Sequence, residues 1–169
     1  AELTPLKPTG NNRPLDIAAI RRFFSPEGAM GRAFEGYEQR EPDPLIRPYW
    51  SPLDQFNRFV SASRDAAFFD PVQGVSAQLD LANTIDFHLL VLLTCNMDGF
   101  DKNLMLARFA PTANAPAPRF FFVPWDYDAT FGRHWEGSRV GFKEWLSNNL
   151  FERLLGDPAY RRNFGARWK

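Results

Sequence analysis

Two short stretches of this chain carry acidic and amide side chains at a spacing that suits metal-dependent chemistry. Asp98 is followed five residues later by Asn103, and Asp126 and Asp128 come after a further apolar segment. Hard cations such as Mg²⁺ are held by a few carboxylate and amide oxygens together with substrate phosphates. These four residues therefore form a candidate site for a metal-bound nucleotide.

A β-hairpin is the element that would bring the two stretches together. Two β-like runs, Leu104 to Ala110 and Arg119 to Val123, are separated by the proline-rich segment 111–118. Antiparallel strands place the residues before the first strand beside those after the second, so Asn103 and Asp126 are expected at the same end of the hairpin. Without a cation, carboxylates that close would raise one another's pKa.

The interval between Asp98 and Asn103 also occurs in protein kinases. In their catalytic loop an Asp accepts the proton of the substrate hydroxyl, an Asn five residues later binds one metal ion, and a second metal-binding Asp follows a hairpin. This chain has no His-Arg before Asp98 and no Phe-Gly directly after Asp126, because Phe131 and Gly132 lie further on. An ordinary protein kinase is therefore excluded.

The first part of the chain is predicted to be irregular. Residues 1–52 are rich in proline, glycine and asparagine, which are typical of turns and extended segments. Asp16 is expected to cap one short helix there, from Ile17 to Phe24. From Ser51 onward the spacing of apolar residues becomes helical.

Residues 53–169 are predicted to form the core, which is mostly helical and carries the hairpin of residues 104–126. This mixture predicts the α+β class. A segment from about Asp80 to Asn96 is apolar nearly all round, which is typical of a central, buried helix. Two further helices are expected after the hairpin, one that includes Phe142 to Leu150 and one from Pro158 to Trp168.

The overall composition points to neither nucleic acid nor a membrane as a partner. The 169 residues are 44% hydrophobic, and 20 Lys and Arg balance 20 Asp and Glu. A net charge of zero gives no electrostatic signature for nucleic acid. The longest apolar run, Phe87 to Cys95, is about half as long as a membrane span requires. With Cys95 as the single cysteine, neither a disulfide within the chain nor a cysteine-based zinc site can form.

The two stretches resemble the CotH family of atypical kinases, which are secreted or belong to the spore coat. The similarity covers about the last two thirds of the chain. It rests on the run from Asn96 to Asn103 (NMDGFDKN), the strand from Phe120 to Val123 (FFFV) and the segment from Pro124 to Gly132 (PWDYDATFG). The resemblance implies the carboxyl-terminal lobe of a kinase-like fold, located outside the cell, on its surface or in the spore coat.

The resemblance also implies roles for the acidic residues. Asp98 would be the catalytic Asp, while Asn103 and Asp126 would bind ATP through Mg²⁺ or Mn²⁺, and Asp128 would assist at the metal. The implied reaction is transfer of the γ-phosphate of ATP to Ser or Thr of a protein partner. The oligomeric state stays open.

The family's amino-terminal lobe, with its strands and a lysine that contacts the phosphates, is not visible in this sequence. There is no Gly-rich loop, and the first lysine, Lys7, lies in the proline-rich lead-in. We therefore expect a piece truncated at both ends, which by itself would bind ATP weakly or not at all.

Two other functions are compatible with the same residues. A metal-dependent glycosyltransferase could use Asp126-Tyr127-Asp128 to hold a cation against a nucleotide-sugar, although this leaves the interval from Asp98 to Asn103 unexplained. A non-catalytic, kinase-like surface module is the third hypothesis. Trp125, Phe131 and His88 are interpreted as core residues rather than as ligand contacts.

Overall fold

The computed structural model describes residues 49–96, 99–100, 103–110, 118–133, 136–138 and 145–169, together with the strand backbones 33–34 and 37–38. The elements, in chain order, are β1 (Ala33–Phe34), β2 (Tyr37–Glu38), α1 (Ser51–Ala62), α2 (Asp65–Phe68), α3 (Val75–Gln78), α4 (Leu81–Thr94), β3 (Met105–Ala107), β4 (Phe121–Val123), α5 (Asn149–Gly156) and α6 (Pro158–Arg167). Helices and two small antiparallel sheets, β1–β2 and β3–β4, confirm the α+β class. In the parts of the chain described, no helix is long and apolar enough to cross a bilayer.

The predicted central helix is α4, and its ends follow from its flanking residues. Asp80 caps the amino terminus, because its side chain accepts a hydrogen bond from the backbone N–H of Asn83 at 3.1 Å. The helix ends at Cys95, whose φ of 51° is left-handed. Half of the fourteen residues in the helix are buried, so it lies in the core as the apolar pattern predicts, although Leu93 is exposed.

The hairpin is confirmed as an antiparallel pair, with Met105 opposite Val123 and Ala107 opposite Phe121. Its second strand is shorter than the predicted Arg119 to Val123. The reason is that the backbone of Phe120 turns to a different partner: its N–H donates to Gln78 O at 2.7 Å, and its carbonyl accepts from Asp80 N at 2.8 Å.

One carboxamide holds β4 against α4. Asn83 Nδ2 donates to Phe122 O at 3.1 Å, and Phe122 N donates to Asn83 Oδ1 at 2.7 Å. The side chain of Asn83 thus replaces the backbone of a neighbouring strand. Phe122 is consequently fixed with its ring in the core, where it stacks on Phe87 and contacts Phe151.

The predicted helix through Phe142 to Leu150 is wrong at its start. Residues 145–148 are not helical, and α5 begins only after Asn148, whose Oδ1 accepts from the N–H groups of Leu150 and Phe151 at 3.0 and 3.3 Å. The asparagine caps the helix, and this local signal outweighs the apolar spacing that suggested an earlier start. Phe142 itself lies outside the described residues.

The lead-in also differs from the prediction. Two short strands, β1 and β2, pair antiparallel within the segment expected to be irregular. Helix α1, in contrast, begins at Ser51, where the apolar spacing predicted that helical structure begins. The predicted helix from Ile17 to Phe24 and Lys7 lie outside the described residues.

Arg153 ties α5 to the first two helices. Its guanidinium donates to Val60 O at 2.5 Å and to Ser63 O at 2.6 Å, which are backbone carbonyls at the end of α1. It also pairs with Asp65 and lies over the ring of Phe68, 3.9 Å from the centroid. One planar cation therefore satisfies carbonyls that the end of α1 leaves without a helical partner.

His88 is fully buried in α4, as expected for a core histidine. Its ring packs against Phe100, Trp145, Phe151 and Phe164. Nε2 lies 2.9 Å from Leu146 O, and a carbonyl only accepts, so Nε2 carries the proton of the neutral ring. Burial lowers the pKa of His88 to about 4, against the smaller opposing effects of Leu146 O and the charge of Glu152.

This buried histidine predicts a loss of stability in mild acid. The unfolded chain takes up a proton near the ordinary histidine pKa of 6.5, whereas the folded chain does so only near 4, so stability declines as the pH falls through that window. We expect wild type to lose about 2 kcal/mol of unfolding free energy through His88 between pH 7 and pH 5. Urea titrations of wild type and His88→Gln, which keeps a donor for Leu146 O, measure the difference. Equal losses in both proteins would contradict the assignment.

Candidate functional site

The hairpin places two of the predicted site residues at the same end. Asn103 lies two residues before Met105 and Asp126 lies three residues after Val123, and Met105 and Val123 are opposite each other in the ladder. Asn103 is half-buried, whereas the carboxylates of Asp126 and, further along the same loop, Asp128 are exposed.

Asp98, the predicted catalytic residue, lies outside the described residues. Met97 lies outside them as well, and the residues that flank this pair, Asn96 and Gly99, are joined by a backbone hydrogen bond of 3.1 Å from Gly99 N to Asn96 O. A methyl group added to Gly99 would lie only 3.2 Å from the Asn96 side chain and from Val91 Cγ2. A larger residue at position 99 would require these two side chains to shift by a few tenths of an ångström.

The loop after β4 folds back onto the same end of α4. Phe131 N donates to Thr94 O, in the last turn of the helix, at 2.5 Å. Within the loop, Thr130 Oγ1 donates to Tyr127 O at 2.7 Å, and Arg133 N donates to Thr130 O at 3.1 Å. The two motif segments that the sequence analysis singled out are thus joined through the carboxyl-terminal end of α4.

Left-handed backbone is concentrated at this end of the molecule. In the described ranges, the non-glycine residues with positive φ are Cys95 at 51°, Asp126 at 56° and Phe131 at 53°. This conformation costs a non-glycine residue about 1–2 kcal/mol. Cys95 follows a helix, where the conformation is common, and Asp adopts it more readily than most residues. Phe131 has neither explanation, and such residues cluster at functional sites.

Trp125 and Phe131 are not core residues, and that prediction is wrong. Trp125 is 52% exposed and Phe131 is 67% exposed. Both lie in the loop beyond the ladder, while Phe120 and Phe122 occupy the positions that face the core. The aromatic side chains of Trp125 and Phe131 are therefore available to solvent.

Two polar side chains within the motif segments were assigned no role from the sequence. Asn96 is fully buried directly after α4, and Tyr127 is half-buried between the two exposed carboxylates. Burial raises the pKa of Tyr127, and the neighbouring Asn96 amide opposes that rise. Within the described structure, neither side chain makes a hydrogen bond of good geometry. The sequence offered one signal that could have identified Asn96, namely its position in the first motif segment, two residues before Asp98.

The metal-ligand set stays a prediction. No three His, Cys, Asp or Glu side chains come together among the residues that the structure describes. The predicted set consists of the amide of Asn103 and the carboxylates of Asp126 and Asp128. Its oxygen donors are of the kind that suits Mg²⁺.

A separate groove of about 530 Å³ lies at the opposite end of α4. Its lining includes Leu81 and Ile85 from the start of that helix, Leu154 from α5 and Tyr160 from α6. A helix of 14 residues is about 20 Å long. The groove is therefore distinct from the end of α4 that carries the motifs, and it is mainly apolar.

Comparison with known proteins identifies the family. The family model described as CotH kinase protein matches residues 23–169. The chain belongs to the CotH family. Both motif segments lie within the matched range, so membership of CotH confirms the resemblance that they suggested.

A curated CotH-like relative is the inner spore coat protein H of Bacillus subtilis (strain 168). It is 31% identical over 98 residues, which cover 53% of this chain and 24% of that protein. The chain thus spans about a quarter of the length of this relative. No solved structure gives a significant match.

The strained backbone of Phe131 predicts that a suitable substitution at this position will stabilise the protein. Phe131→Asn should stabilise the protein by about 0.5–1 kcal/mol, because Asn adopts left-handed backbone more readily and the exposed ring loses little packing. Phe131→Val, which is β-branched, should destabilise it by about 1–2 kcal/mol. Urea denaturation measures both. If Asn is the more destabilising of the two, the strain is not located at Phe131.

Proposed function

We propose that this chain provides the metal- and nucleotide-binding part of a CotH-type protein kinase. In this proposal the γ-phosphate of ATP is transferred to Ser or Thr of a protein substrate. The observation that carries it is the family match over both motif segments. It is supported by the hairpin register, with Asn103 just before β3 and Asp126 just after β4.

Each motif residue has a role in the proposed reaction. Asp98 accepts the proton of the substrate hydroxyl as its oxygen bonds to the γ-phosphorus and the bond from that phosphorus to ADP breaks. Asn103 and Asp126 hold the divalent cation, and Asp128 assists. The amide and carboxylate oxygens fit Mg²⁺ or Mn²⁺. When bound, the metal neutralises charge on the phosphates.

The cellular location and the partner are part of the same proposal. The relative from Bacillus subtilis is an inner spore coat protein. We propose that this protein likewise acts outside the cell, on its surface or in a spore coat, on a protein substrate with accessible Ser or Thr. The relative is much longer than the matched region, so further parts of the protein would complete the nucleotide site.

A binding measurement tests the proposed metal–nucleotide site. Mg²⁺-ATP at about 100 times its Kd should stabilise the full-length protein by about 2.7 kcal/mol, which raises Tm by about 5–10 °C for a domain of this size. Asp126→Ala should remove the shift, since the carboxylate that holds the metal is lost. Glu136→Gln, which removes an exposed carboxylate nearby in the sequence, is the matched control and should keep it.

The same titration separates the alternatives. Stabilisation by a UDP-sugar with Mn²⁺, but not by ATP, would overturn the kinase proposal in favour of a glycosyltransferase. The absence of a shift with either nucleotide would support the non-catalytic surface module.

A further inference from the structure

Phe131 combines a strained backbone with a ring that the fold does not bury. Its φ is 53°, which is costly for an aromatic residue, and its side chain is 67% exposed. The backbone is nevertheless held in place, because Phe131 N donates to Thr94 O at 2.5 Å. Strain of this kind persists where the surrounding structure imposes it, and it clusters at binding sites. The exposed ring adds little packing to the fold, so a contact with another molecule would account for its presence.

The loop keeps Phe131 near the proposed metal ligands. Thr130 Oγ1 donates to Tyr127 O at 2.7 Å, and this hydrogen bond closes the loop just before Phe131. Phe131 follows Asp128 by three residues, and a chain of that length spans at most about 10 Å. The exposed ring therefore lies within reach of the carboxylates that are proposed to hold the metal and, through it, the phosphates.

The chemistry of ATP offers this ring little to bind. Ribose and two phosphates separate the base from the γ-phosphate, so a group beside the metal ligands faces charged phosphates rather than the base. The molecule that can bring apolar surface to this place is the protein that carries the accepting Ser or Thr. Exposed aromatic side chains are frequent contact points between proteins, because they bury a large apolar area.

We propose that Phe131 determines substrate specificity, by contacting a large apolar side chain of the protein substrate close to the accepting Ser or Thr. This inference rests on the proposed kinase function. An extended peptide advances about 3.3 Å per residue, so the preferred apolar residue lies within about four positions of the acceptor. The contact removes apolar surface from water on both molecules, which favours Leu or Phe over Gln at that position.

Phe109 provides a matched control. It is also an exposed phenylalanine, at 75%. It follows Ala107 by two residues, at the end of the hairpin opposite to Asn103 and Asp126. Phe131→Asn and Phe109→Asn therefore make the same chemical change to an exposed ring, and only the first alters the proposed contact. Phe131→Leu, which keeps an apolar side chain, is the conservative variant.

Steady-state kinetics of the full-length protein on a synthetic peptide library test the proposal. Each peptide has one central Ser or Thr, and one of the four positions on either side is set to Leu, Phe or Gln. Wild type should prefer Leu or Phe at one position by about tenfold in kcat/KM. Phe131→Asn should abolish this preference by raising the KM for the peptide, while kcat and the KM for ATP change by less than about threefold. Phe109→Asn and Phe131→Leu should keep the preference.

Several results would overturn the proposal. Wild type could show no preference, or Phe131→Asn could keep it. A raised KM for ATP, in place of a raised KM for the peptide, would assign the ring to the nucleotide. If the ring instead packs against another part of the full-length protein, Phe131→Asn should lower Tm and leave the preference unchanged. Phe131→Gly, which accepts positive φ without strain, is the second variant in case Phe131→Asn does not fold.

A binding measurement separates this inference from the proposed function. Peptides of the same library with Ala in place of the Ser or Thr cannot be phosphorylated, and calorimetry gives their Kd. Wild type should bind the Leu or Phe peptide about tenfold more tightly than the Gln peptide, and Phe131→Asn should bind both alike. Equal affinities, or no binding, in wild type would overturn the inference. Preferential binding without any phosphate transfer would contradict the proposed function and still support the apolar contact.

Discussion

The two hydrogen bonds between the Asn83 carboxamide and the backbone of Phe122 determine where the hairpin lies on the buried helix α4. They fix the position of β4 along the axis of α4 and direct the ring of Phe122 into the aromatic core. Because β3 pairs with β4 in a defined register, the position of Asn103 follows from the same contact. The loop that carries Asp126 leaves β4 at its far end and returns to Thr94, at the carboxyl terminus of α4.

The start of α4 is held by hydrogen bonds, whereas the backbone at its end is strained. Asp80 caps the helix, and Phe120 pairs with the residues just before it. At the other end there are left-handed residues, a buried asparagine and exposed aromatic side chains. A stable protein does not need this combination, whereas a site that holds charged groups in a fixed arrangement benefits from it.

The sequence predicted the elements with strong local signals. The apolar pattern of α4 and the two β-like runs around a proline-rich segment were sufficient for the central helix and the hairpin. Contacts between distant residues were not accessible in this way: Asn83 and Phe122 are 39 residues apart, and Arg153 reaches back 93 residues to Val60. The apolar periodicity also predicted the start of α5 too early, because a single side chain, that of Asn148, caps the helix and sets where it begins. The exposure of Trp125 and Phe131 depends on where the ladder ends, which composition does not reveal. For the candidate site, the sequence revealed the order and type of the motif residues, and the family match confirms the motif. The sequence did not reveal how these residues are arranged relative to one another.

The most direct test of the kinase proposal is transfer of the γ-phosphate from labelled ATP by the full-length protein in the presence of Mg²⁺. Asp98→Asn should lower the rate by about 10²–10⁴-fold, the contribution expected of a positioned proton acceptor. Asp101→Asn, an equivalent change three residues along the same segment, should leave the rate unchanged. Transfer by Asp98→Asn at the wild-type rate would contradict the assignment of this residue and the proposed mechanism with it.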